Sequence, residues 1–259
     1  MSSEQLSEIL LASDCEESIL QAVESGEMDL LVPELTLLSM EQDPIHKHKD
    51  VLAHTIAVVS KTEQEITVRL GALFHDIGKP KTRSFEHGGV TFRHHEVVGS
   101  RMARKRLGKL GYSEQVIDEV VELVRLSGRF KGYADGWSDS AVRRYARDAG
   151  PLLGKLNHLI RCDCTTRNEN KARGVQEAMD DLERRIAALA EEDRQAAERP
   201  GLNGLEVMEY LDIGPGPAVA EALAHLLEIK RNEGDLDLKE LQIRLDAWWK
   251  LRNKESDEH

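Results

Sequence analysis

Apolar residues recur at three- and four-residue spacing along nearly the whole chain of 259 residues, and Pro or Gly falls at most breaks in that pattern. This periodicity belongs to amphipathic helices rather than to strands, which alternate every second residue. Aromatic residues make up only 4% of the chain, while Leu, Ala and Glu are plentiful, which again favours helices over a β-sandwich. The chain is therefore expected to be mostly α. Helices are predicted within 4–25 and over 46–60, 65–77, 96–108, 114–126, 139–149, 152–165 and 174–199, with two or three more in the tail. EHGGVTF, residues 86–92, reads as a loop with at most a small β-turn.

Within this pattern, three helices carry polar groups on faces that should be buried. In GALFHDIGKPKTR, residues 71–83, the pair His75-Asp76 lies at the margin of a stripe formed by Leu70, Leu73, Phe74 and Ile77. His54 shares a face with Val51 and Val58. Asp163 continues the face of Leu152, Leu156, Leu159 and Ile160. A carboxylate beside core-facing residues must be paired, hydrogen-bonded or bound to a cation. Any one such His is more often a hydrogen-bonded core residue than a ligand. Together, two imidazoles and two carboxylates make a mixed N/O donor set, suited to Mn, Mg, Ni, Co, Fe or Zn.

Charge is unevenly distributed. The net charge of −12 argues against a nucleic-acid partner when taken alone. Residues 1–45 hold 11 acidic and no basic side chains, however, and residues 46–175 hold 24 Lys/Arg against 15 Asp/Glu. Residues 176–259 hold 11 against 21. A basic middle between acidic flanks can draw in a phosphate-bearing ligand, although solvated helix faces would give the same counts. The three cysteines are too few for a disulfide framework, and Cys162 and Cys164 diverge from Asp163 on a helix, so they read as packing residues. With no basic n-region or long apolar h-region near Met1, no ordinary secretory signal is expected, and no run approaches ~18 apolar residues. A cytoplasmic protein with no membrane partner is expected.

The H…HD…D pattern of His54, His75-Asp76 and Asp163 resembles the signature of the HD superfamily of metal-dependent phosphohydrolases, an all-α fold. HKHKDVLAHT, LGALFHDIGKPKTR, GGVTFRHHEVVGSRMARKRL, WSDSAVRRYARDAG, RCDCTTRN and IGPGP are similar to the C-terminal part of bacterial CCA-adding tRNA nucleotidyltransferases. The resemblance divides the chain into a helical lead-in at 1–45, an HD domain at 46–175 and a long helix plus helical tail at 176–259. It implies a divalent ion on His54, His75, Asp76 and Asp163, and a phosphoester substrate of the nucleotide or RNA-end class. Asp76, Lys79 and His95 are the expected catalytic residues; Lys79 also meets phosphate as a point charge, and Arg143 and Arg144 are candidate bidentate phosphate clamps. His95 occupies the His of the family's G-H-E pattern, with His94 in place of the Gly, and imidazole ordinarily titrates near neutral pH. Ser127 stands where the family usually has a His, and Lys131 where it often has another, so one ion is expected rather than two. There is no GGxVRD-like phosphate loop and no D-x-D metal pair followed by a basic fingers region, so nucleotidyl transfer by this sequence alone is not expected. The readings left open are a phosphohydrolase, a module that binds tRNA or a separate nucleotidyltransferase head, and a protein whose metal is only structural. GPGP at 214–217 could present helix-start amides to a phosphate, but such breaks are usually turns.

Overall fold

The computed structural model describes residues 2–40, 50–86, 89–166 and 168–257. The chain divides into two units, Met1–Leu189 and Ala190–His259. Among the described residues the architecture is all-α apart from one two-stranded hairpin. The predicted start of a helix at residue 46, and the boundary drawn at residue 45, lie outside the described residues.

The first unit begins with α1 (Ser3–Leu10), α2 (Cys15–Glu24) and α3 (Glu27–Leu31), whose buried faces carry Leu6, Leu10, Ile19 and Met28. Next come α4 (Val51–Lys61) and α5 (Ile66–Phe74). Asp50 caps α4 by accepting from the Ala53 amide at 2.6 Å, and the Glu65 carboxylate caps α5 through the amides of Thr67 and Val68. Such caps satisfy amides that have no partner within the helix. Every residue of α5 from Thr67 to Phe74 is buried, as expected of a helix enclosed on all sides. Gly71 lets α8 (Glu114–Leu126) approach closely, since a Cβ there would stand 3.2 Å from Leu123. Arg69 is buried on α5 and donates to the carbonyls of Leu10, Ala12 and Glu63, which ties the lead-in helices to the centre. Glu34 and Arg106 form a second tie, a bidentate pair at 2.8 and 2.9 Å.

The remaining elements of this unit are α6 (Lys79–Thr82), β1 (Ser84–Glu86), β2 (Gly89–Thr91), α7 (His95–Leu110), α9 (Asp139–Ala149), α10 (Leu153–Asp163) and α11 (Glu169–Ala197), whose last turns belong to the second unit. Two elements differ from the sequence expectation. The helix predicted over 65–77 ends at Phe74, and His75–Gly78 form turns closed by Ile77 N to Phe74 O at 3.2 Å and Lys79 N to Asp76 O at 3.0 Å. EHGGVTF contains part of an antiparallel hairpin in which Ser84 pairs with Thr91 and Phe85 with Val90. Three-residue strands are too short to display an alternating pattern in the sequence.

In the second unit, α12 (Gly204–Leu211), α13 (Pro217–Glu233) and α14 (Leu238–Asp257) enclose a separate small core of Leu202, Val207, Ala222, Leu226, Ile229, Leu241 and Leu245. GPGP forms the break before α13, whose first residue is Pro217, a position where the missing amide is no loss.

Candidate metal centre

Four elements of the first unit bring side chains to one point. α4 supplies His54, the turns after α5 supply His75 and Asp76, α10 supplies Asp163, and the start of α7 supplies His95. The end of α5 matters here. Adjacent residues within a helix diverge by about 100°, but in the turns at its end the His75 Nε2 and an Asp76 oxygen come within 3.2 Å of one another. His54 Nε2 lies 3.3 Å from His75 Nε2 and 3.7 Å from Asp76 Oδ2. Asp163 Oδ1 lies 2.9 Å from His54 Nε2 and 3.5 Å from His75 Nε2.

These spacings fit a divalent ion. Ligands ~2.1 Å from one ion stand about 3.0 Å apart in octahedral and about 3.4 Å apart in tetrahedral arrangements. The donor atoms of His54, His75 and Asp76 all lie within 4.8 Å of one another. The far side of each imidazole is also suitably held. His75 Nδ1 donates to the Ala72 carbonyl at 2.7 Å, leaving Nε2 to face the cluster. His54 Nδ1 is 2.9 Å from the Thr165 hydroxyl, which can either give or accept a proton and so permits both tautomers. Thr165 was not singled out from the sequence; its position two residues beyond Asp163, within RCDCTTRN, was the available signal.

The electrostatics also call for positive charge. Burial alone would push the Asp76 carboxyl up, but His75, a hydrogen bond from His95 and the Lys79 ammonium outweigh it and hold it well below the usual carboxylate range. Asp163 is likewise lowered: burial is opposed by His54 and His75. Burial would lower the His75 imidazole, yet Asp76 and Asp163 raise it to about 10. Without an ion, protons on imidazole supply the countercharge.

Lys79 and His95 complete the arrangement. Lys79 is buried, with Nζ 2.6 Å from Asp76 Oδ2 and 5.6 Å from the centre of the Phe92 ring. It is therefore not a solvated helix-end lysine. His95 is buried with Nε2 3.4 Å from Asp76 Oδ1, while its Nδ1 donates to the Phe92 carbonyl at 2.8 Å. This meeting depends on two glycines. A Cβ on Gly78 would stand 2.2 Å from the His95 carbonyl oxygen and 2.8 Å from the Gly99 amide, and a Cβ on Gly99 would stand 3.3 Å from the Gly78 nitrogen. His94, just before α7, adopts φ 60°, the left-handed conformation that glycine takes readily.

The other candidates lie on different elements. Ser127 ends α8 and its hydroxyl donates to the Val124 carbonyl. Lys131 is exposed, 3.8 Å from Glu96. Arg143 is half-buried and Arg144 exposed on α9, which contributes none of the side chains that meet at Asp76. Cys162 is buried, with its thiol 3.4 Å from the Lys61 carbonyl, consistent with packing. No helix among the described residues is long and apolar enough to cross a membrane.

An all-α unit presenting imidazoles and carboxylates from α4, α10 and the turns after α5 fits a metal-binding helical domain. The HD domain family matches residues 50–193, more than half of the sequence, and the chain belongs to that family. It is also similar to the CC-adding tRNA nucleotidyltransferase of Thermus thermophilus, with 32% identity over 95% of this chain and 56% of that protein. The A-adding tRNA nucleotidyltransferase of Deinococcus radiodurans is 30% identical over 88% of this chain and 53% of its own length. The chain thus spans about half the length of these relatives.

Proposed function

We propose that this chain is a cytoplasmic metal-dependent phosphohydrolase acting on phosphoesters of nucleotides or RNA ends, as a phosphatase or a cyclic phosphodiesterase. The observation that carries this reading is the convergence of His54, His75, Asp76 and Asp163, with donor atoms 2.9–3.7 Å from their neighbours. These four residues would hold one divalent ion. Bound there, such an ion supplies Lewis acidity, generating a nucleophile from water near neutral pH and drawing charge from a phosphoryl oxygen.

The protein's own groups divide the remaining work. Asp76 turns Oδ2 toward His54, His75 and Lys79 and Oδ1 toward His95, so one carboxylate orients both the ligands and the acid–base group. The Lys79 ammonium neutralises phosphate charge as a fixed point charge. The bond from His95 Nδ1 to Phe92 leaves Nε2 as the ring atom from which the imidazolium form would pass a proton to the leaving oxygen. Arg143 and Arg144 serve as clamps for the rest of the substrate.

Purified protein supplied with Mn, Co, Ni or Mg should hydrolyse bis(p-nitrophenyl) phosphate, and Asp76→Ala should abolish the activity. Hydrolysis that survives this change would sink the site assignment. His95→Gln should lower kcat by about 10²-fold or more if it is the proton donor.

A second reading rests on the relatives, both named for acting on tRNA and matched along most of this chain. On that reading the chain binds tRNA or a separate nucleotidyltransferase chain. Binding of tRNA at low salt that falls steeply with added salt would support it. No binding at low salt counts decisively against it.

A further inference from the structure

The β1–β2 hairpin continues the candidate metal centre outward. Its register pairs Ser84 with Thr91 and Phe85 with Val90, so the next opposed positions are Arg83 and Phe92. Side chains alternate between the faces of a strand, so Arg83, Phe85, Val90 and Phe92 share one face. Contacts agree with this. The Arg83 guanidinium lies 5.2 Å from the Phe85 ring centre, and Lys79 Nζ lies 5.6 Å from that of Phe92. Lys79 is in turn bonded to Asp76. Contacts thus link Asp76, Lys79 and Phe92, and separately Arg83 and Phe85, while the register sets Arg83 opposite Phe92 between them.

Two features of this hairpin face are unexplained by folding. Phe85 is 72% exposed, an unfavourable place for a phenyl ring in a three-residue strand. The Arg83 Nε–H is buried with no hydrogen-bond partner among the described residues, at a cost of about 1–3 kcal/mol for an unmet donor. Lys79, Lys81, Arg83 and Arg93 also make this segment basic, with Glu86 as its one acidic residue. Exposed aromatics flanked by cations are how proteins stack nucleobases and track phosphates.

We infer that Arg83 and Phe85 form a nucleoside-monophosphate subsite, with the base stacked on the open face of Phe85 and the phosphate reaching Arg83 on the side toward Lys79. This deepens the phosphohydrolase reading, rests on it for the identity of the reacting group, and names a nucleotide as the substrate unit. The unit is either a free nucleotide or the last residue of an RNA.

Equilibrium binding separates this inference from the catalytic one. AMP, ribose 5-phosphate and a 3'-phosphorylated RNA trinucleotide are titrated onto the full chain, wild type and variant, with Mn present. Phe85→Ala should weaken AMP or the trinucleotide about tenfold, the size of one base–aromatic stack, and leave ribose 5-phosphate unchanged. Phe85→Trp should restore affinity. Arg83→Gln should weaken AMP and ribose 5-phosphate alike. Whichever of AMP and the trinucleotide binds more tightly identifies the source of the unit. The inference is overturned if neither binds, or if Phe85→Ala leaves both unaffected. Binding that follows this pattern without any hydrolysis of a phosphoester would sink the phosphohydrolase reading and leave the subsite standing.

Discussion

Asp76 shares its two carboxylate oxygens among His54, His75, His95 and Lys79. That crowding fixes the sign of the pH dependence in chelator-stripped protein. His75 is raised to about 10, so its stabilising contribution is complete below its ordinary value of 6.5 and disappears as pH climbs through about 10. Asp76 is lowered, so its contribution is present above its ordinary value of 3.8 and is lost as pH falls below that. Urea midpoints should therefore plateau between about pH 4 and about pH 6.5 and decline on both sides. A midpoint that holds steady up to pH 10 would contradict the His75–Asp76 coupling. His94 offers a second test at this scale: its side chain is exposed and its φ is 60°. His94→Gly should stabilise the fold by about 0.5–1 kcal/mol, read by the same denaturation. His54, His75, Asp76 and Asp163 were legible in the sequence because each interrupts an apolar face. The burial of Lys79 was not, since a lysine after Gly at a helix end gives no sign of which way it turns.

Among the elements, the crossing of the Gly78 turn over the start of α7 is the contact on which the site depends. Gly78→Ala would drive a Cβ into the His95 carbonyl and the Gly99 amide, both backbone and neither able to swing aside. The expected result is a loss of about 2 kcal/mol or more in stability and a drop in metal-dependent hydrolysis larger than the loss of folded protein explains. Wild-type activity in a stably folded Gly78→Ala protein would show that the approach is unimportant. The glycines were visible in the sequence, but their opposition across two elements is a tertiary fact. The helix end at Phe74 was overestimated by three residues because Ile77 extends the apolar pattern into the turns. Helical period persists there while the hydrogen bonds change to a three-residue spacing. The hairpin was missed for the opposite reason, since two three-residue strands carry too little pattern.

Across the whole molecule, the basic residues 46–175 hold the cluster, while the acidic tail folds around its own small core. That the chain is mostly helical followed from periodicity together with composition, because nearly every segment repeats the helical spacing. What periodicity could not convey is how four elements meet, which rests on caps, glycine contacts and the helix end. His54, His75, Asp76 and Asp163 should together hold a single divalent ion. Titrating chelator-stripped wild-type protein and Asp76→Asn with Mn, and reading bound metal per chain, tests it most directly. Wild-type protein should take up one ion per chain, bound more tightly as pH rises and His75 gives up its proton, and Asp76→Asn should take up none. Equal uptake by the two proteins, or none by the wild type, would contradict it.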